Sequence, residues 1–201
     1  MQEKIYLYTR FERFWHWTQA LLIIVLITTG LEVHGTFEWL GFGKAVSLHN
    51  IMAWALLGLT AFAIFWHFTT GEWKQYTPTM VKIGDVVNYY LRGIFQGEKH
   101  PVKKKPQRKL NPLQRITYLF LKIVLFPLQV ITGMAYLYYN HLPGEGLPLA
   151  PVALVHTAGA FAFLVFLVIH VYLATTGETP TSHFKAMFSG WELTETEKTR
   201  S

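Results

Sequence analysis

Apolar and polar positions fall into long blocks along this chain. Four apolar runs, residues 14–33, 46–69, 113–138 and 151–175, are separated by polar connections. A helix rises about 1.5 Å per residue, so about twenty apolar residues cross a hydrocarbon layer roughly 30 Å thick. The pattern predicts an all-α integral membrane protein, a four-helix transmembrane bundle forming one domain over residues 1–201. In the long connection, residues 71–112, MVKIGDVVNYYLRGIFQ has apolar residues at helical spacing and predicts an amphipathic helix on the membrane surface. The basic, proline-punctuated EKHPVKKKPQRKLNP that follows reads as an exposed segment drawn to anionic headgroups.

The second and fourth runs close on HFTTGEW and HVYLATTGETP, and Thr28-Thr29-Gly30 stands near the end of the first. Glycine just past a helix supplies a left-handed cap, so this echo reads as helix termination and not as duplication.

Composition supports the membrane reading: 51% of the residues are hydrophobic and 15% charged, and mean hydropathy is +0.24. Positive charge is unevenly placed. Lys4, Arg10 and Arg13 precede the first run and nine Lys and Arg lie between positions 74 and 109, whereas the connection after the third run offers only Glu145. The positive-inside bias therefore predicts cytoplasmic termini, including the tail 176–201, and a cytoplasmic middle loop. Topology accounts for the net charge of +6, and no nucleic-acid partner is needed. No cleavable leader pattern precedes the first run, which is expected to remain as an anchor. With no cysteine in the chain, disulfides, cysteine-held iron–sulfur clusters and c-type haem attachment are excluded.

The candidate chemistry is carried by histidine. In HTAGAFAFLVFLVIH, His156 and His170 stand fourteen residues apart (170 − 156), about 21 Å along a helix and nearly on one face. Such residues cannot share one metal ion, but each can ligate a separate centre in a stack crossing the membrane. Antiparallel packing supplies partners at matching depths, His49 for His156 and His16 for His170. A flat apolar macrocycle wedged between helices, with an imidazole on each face of its iron, fits this placement and makes b-type haem the expected group. Small Ala158, Gly159 and Ala160 leave room beside His156. His67, eighteen residues after His49 (67 − 49), lies on the same helical face at the cytoplasmic end and rivals His16 as a ligand.

Taken together, RFERFWHW, SLHNIMAW, KLNPLQRITYLF and HTAGAFAFLVFLVIHVYLATTG resemble the di-haem cytochrome b subunits that anchor bacterial respiratory formate dehydrogenases, nickel–iron hydrogenases and thiosulfate reductases. The resemblance runs over nearly the whole chain. It implies two haem b, with His49 and His156 ligating the outer one and His16 and His170 the inner one. It further implies a quinone (menaquinone or ubiquinone) beside the inner haem at Asn111, which the residues alone read equally as a helix entry before Pro112. His67 becomes a residue beside the inner haem or the quinone. Arg13 is either a propionate partner or an interfacial anchor, and Lys122 is read as snorkelling toward the cytoplasmic interface.

The function so implied is that of an electron-transfer subunit in the bacterial cytoplasmic membrane. It would carry electrons between an outer-face iron–sulfur or multihaem partner and the quinone pool, with membrane lipid around it. Two rivals stand beside it: a stand-alone four-helix cytochrome b passing electrons between a small oxidant and quinone, and a non-redox transporter or scaffold. His34, His100, His141 and His183 are given no role.

Overall fold

A computed structural model describes residues 2–98, 100–102, 104–139, 148–177 and 179–195; His141 and Glu145 lie outside them. Among the described residues, four helical stretches are long and apolar enough to cross a membrane: Arg10–Val33, Phe42–Thr70, Pro112–Leu137 and Leu149–Ala174. Their outward faces carry apolar side chains such as Leu21, Phe65, Ile131 and Val168, the arrangement expected where lipid replaces water as solvent.

Helix α1 (Arg10–Val33) starts earlier than hydropathy alone indicates. Thr9 and Glu12 form a reciprocal capping box, with the Glu12 N–H donating to Thr9 Oγ1 at 3.3 Å and the Thr9 N–H to Glu12 Oε2 at 2.8 Å. At its other end, Glu32 Oε1 accepts from the backbone N–H groups of Trp39, Leu40 and Gly41 at 2.9, 2.5 and 2.8 Å. These bonds satisfy one oxygen of a buried carboxylate, while Oε2 is buried without a partner, and they shape the turn into α2 (Phe42–Thr70). Gly71, with φ of +77°, caps α2 in the left-handed region as expected. Gly30 does not cap anything, because α1 continues to Val33.

After a 3-10 turn at Glu72–Tyr76, the amphipathic segment forms only the short α3 (Ile83–Leu91), followed by a second turn at Gly93–Gln96. Val86 and Tyr89 are buried, while Met80, Leu91 and Phe95 face outward. The third span is not one regular helix. It comprises α4 (Pro112–Phe120), a π-helical turn at Leu121–Leu125 and α5 (Phe126–Leu137). Pro127 has no N–H to give the preceding turn, and the wider π turn absorbs that interruption without breaking the span. The fourth span is α6 (Leu149–Ala174).

Helix α1 packs along α2 and α5 along α6, and α1 also meets α6. At the end of the bundle that carries the chain termini, α7 (Ser182–Ser189) is followed by β2 (Trp191–Glu195), antiparallel to β1 (Gln2–Tyr6) with Tyr6 opposite Trp191. Gly190 makes the corner with φ of +87°, and its carbonyl accepts from the Leu7 and Tyr8 N–H groups at 2.8 and 3.1 Å. A Cβ there would lie 2.7 Å from the Tyr8 carbonyl oxygen. Gly190→Ala is therefore expected to cost about 2 kcal/mol, read as a lower thermal unfolding midpoint in detergent.

The same end is tied together by Lys109. Its buried ammonium donates to Glu12 Oε1 at 2.6 Å and Glu72 Oε2 at 3.1 Å, joining the basic segment to the start of α1 and to the 3-10 turn that follows α2. Its backbone N–H donates to Gln75 Oε1 at 3.0 Å.

Candidate functional site: two histidine pairs in the bundle

Helix α6 carries a histidine near each end, and each meets a ring from a different helix. At the termini end, His170 faces His16 of α1 with ring centroids 6.1 Å apart. At the far end, His156 faces His49 of α2 with centroids 6.4 Å apart. Two metal–imidazole bonds of about 2 Å, plus about 1 Å from each nitrogen to its ring centre, place two axial imidazoles about 6 Å apart. Both pairs have the separation that one interposed iron requires.

The donor set also suits haem. Among the described residues no three His, Cys, Asp or Glu converge to hold a bare metal ion. Two imidazoles are enough where a porphyrin supplies the other donors. The ring nitrogens agree: His49 Nδ1 lies 2.9 Å from Thr29 Oγ1, and His156 Nδ1 lies 3.0 Å from Thr132 Oγ1. His170 Nδ1 lies 3.3 Å from the Tyr118 hydroxyl, and His16 Nδ1 is buried without a partner. Among the described residues none of these four rings spends its Nε2 on a hydrogen bond, so Nε2 is the nitrogen left for a metal on His49, His156 and His170, while both nitrogens of His16 are uncommitted.

Glycines make the space. A Cβ on Gly30 would stand 3.5 Å from His49 Cε1, and one on Gly133 would stand 3.2 Å from His156 Cε1. The threonine–glycine pair on α1 thus does for His49 what the pair on α5 does for His156. Thr29-Gly30 escapes a reading of the helix ends, where Thr-Gly looks like termination, and Thr132-Gly133 lies inside the third run. The signal that finds them is the match of LITTG, residues 26–30, to QVITG, residues 129–133.

His67 stands apart from both pairs. Its Nδ1–H donates to the Ala63 carbonyl at 2.6 Å, and its Nε2 accepts from the Tyr76 hydroxyl at 3.4 Å. Its ring packs against Trp15 and Trp66. Burial, reinforced by nearby Glu12, Tyr118 and Glu72, pushes the Tyr76 phenol up, keeping it a neutral donor. Lys122, in the π turn, reaches back over the Tyr76 ring at 3.2 Å and the Trp15 ring at 5.2 Å.

Asn111 serves as the helix entry that its sequence context suggests. Its Oδ1 accepts from the Gln114 N–H at 2.8 Å, the Gln114 side chain answers at 3.0 Å, and its amide donates to the Tyr90 hydroxyl at 3.0 Å. Arg13 donates to the Phe188 carbonyl near the end of α7, and Trp17 Nε1 donates to Met187 at 3.2 Å. Thr157, the one polar residue inside the α6 histidine frame, pairs with His34 Nε2 at 2.9 Å.

Comparison with known proteins agrees with this chemistry. The prokaryotic cytochrome b561 family matches residues 7–190. The chain is 34% identical over 198 residues to "Putative cytochrome YdhU" of Escherichia coli (strain K12), covering 94% of this chain and 75% of that protein. No solved structure matches it. The chain belongs to the prokaryotic cytochrome b561 family, membrane proteins that bind haem b and transfer electrons.

Proposed function

We propose that this chain is the di-haem b anchor subunit of a respiratory oxidoreductase complex in the bacterial cytoplasmic membrane. In this reading it forms one domain, with both termini, the long connection and the termini-end histidine pair on the cytoplasmic side. It carries electrons between an outer-face redox subunit, an iron–sulfur or multihaem protein, and the quinone pool near the cytoplasmic face. The observation that carries the proposal is the stacking of two histidine pairs, 6.1 and 6.4 Å across, at opposite ends of one spanning helix.

When bound, haem supplies reversible one-electron chemistry. The chain's own residues do the rest. His16 with His170 and His49 with His156 would hold the two groups, and the apolar bundle excludes water around them. Quinone reduction also needs protons and donors to its carbonyls. Asn111 has one amide hydrogen engaged by Tyr90, which leaves the other as a donor toward a quinone oxygen. His67, whose two nitrogens are taken by Ala63 and Tyr76, serves as a buried neighbour of this region and not as an iron ligand.

Purification from its own membranes in mild detergent tests the anchor role. A stable complex with a redox subunit, whose substrate reduces the haem and whose electrons reach a soluble quinone analogue, is the expected result. A free monomer that oxidises quinol with a small oxidant unaided would instead support the stand-alone reading. A colourless chain would contradict both.

A further inference from the structure

The two histidine pairs are built differently, and the difference bears on the relative reduction potentials of the two centres. At the far end both Nδ1 atoms meet acceptors: His49 faces Thr29 Oγ1 and the Leu26 carbonyl, while His156 faces Thr132 Oγ1 and the Gln129 carbonyl. Each threonine donates its own hydrogen to its helix, Thr29 to the Val25 carbonyl at 2.8 Å and Thr132 to the Leu128 carbonyl at 2.7 Å. Toward the imidazole it therefore offers only a lone pair. The Nδ1 atoms must carry the hydrogen, and they donate it. At the termini end His170 has one longer contact, 3.3 Å to Tyr118, and His16 Nδ1 has no partner.

An imidazole that donates its N–H to an acceptor is more basic at its other nitrogen. Greater basicity favours the oxidised, more positive metal and lowers its reduction potential. We infer that Thr29 and Thr132 are positioning residues that make the far-end pair the lower-potential of the two centres. This rests on the di-haem reading.

A redox titration followed by haem absorbance tests the inference, once a pyridine haemochrome assay has counted the haems on the purified chain. Two components are expected, with the lower one missing in His156→Ala. In a Thr29→Val/Thr132→Val double variant the lower component should move upward while the upper one stays in place. Serine at both positions keeps the hydroxyls and should restore the original value, which a packing defect alone would not. If His156→Ala fails to accumulate, the component displaced by Thr132→Val makes the same assignment. Loss or displacement of the upper component, or a valine variant that moves neither, overturns the inference. Fewer than two haems on the unaltered chain refutes the di-haem reading first; two haems in the reverse order refute only the inference.

Discussion

His156→Ala is expected to leave the purified chain with about one haem in place of about two, because one imidazole is a poor substitute for two axial ligands. His49→Ala should remove the same haem, since the two rings face each other across 6.4 Å. Combining the two changes should remove nothing further, the non-additivity of residues that act as one unit. His16→Ala and His170→Ala should each remove the other haem. His67→Ala should retain both, because its ring nitrogens are committed to the Ala63 carbonyl and the Tyr76 hydroxyl. Pyridine haemochrome assays on the five single variants check the set. Retention of the second haem in His16→Ala with its loss in His67→Ala would reassign the termini-end ligand.

Lys109→Met is expected to destabilise the fold by about 2 kcal/mol, the cost of leaving the part-buried carboxylates of Glu12 and Glu72 without their cation. Glu12 also closes the capping box of α1 with its second oxygen, so the loss reaches the start of the first spanning helix. Glu72 is the more exposed partner, at 27% of its side chain, and water should compensate it in part. Thermal unfolding in detergent should show a lowered midpoint for Lys109→Met. A smaller loss is expected in Lys109→Met/Glu12→Gln, where the buried charge disappears with its partner. Equal midpoints for the single and double variants would show that the ion pair is not the cause.

The spans and the histidine pairs could be read from the chain because each depends on a local, one-dimensional property. An apolar run of spanning length has few alternatives in a membrane protein. The rise of a helix converts the spacing of His156 and His170 into two depths, at which His49 and His16 are the matching partners. Features that need distant residues to meet were not legible in that way. The pairing of Gln2–Tyr6 with Trp191–Glu195 joins the two ends of the chain and leaves no periodic signature in five-residue strands. Lys109 belongs to a basic run that looks solvated, yet its burial depends on Glu12 and Glu72, which are distant in sequence.

Thr29-Gly30 was obscured for a different reason. A Thr-Gly pair near the end of an apolar run has the composition of a helix stop, which is what Gly71 proved to be. Within α1 and α5 the helix continues, and the same two residue types fix an imidazole and clear the space beside it. Pro127 marks an irregularity in the third span, but the π turn that absorbs it is a tertiary solution.

We propose that the two histidine pairs hold two haem b groups. This is tested most directly by a pyridine haemochrome count and a reduced-minus-oxidised spectrum of the unaltered, purified chain. About two b-type haems per chain, both redox-active, are expected. A chain that is colourless and takes up no added haem would contradict it.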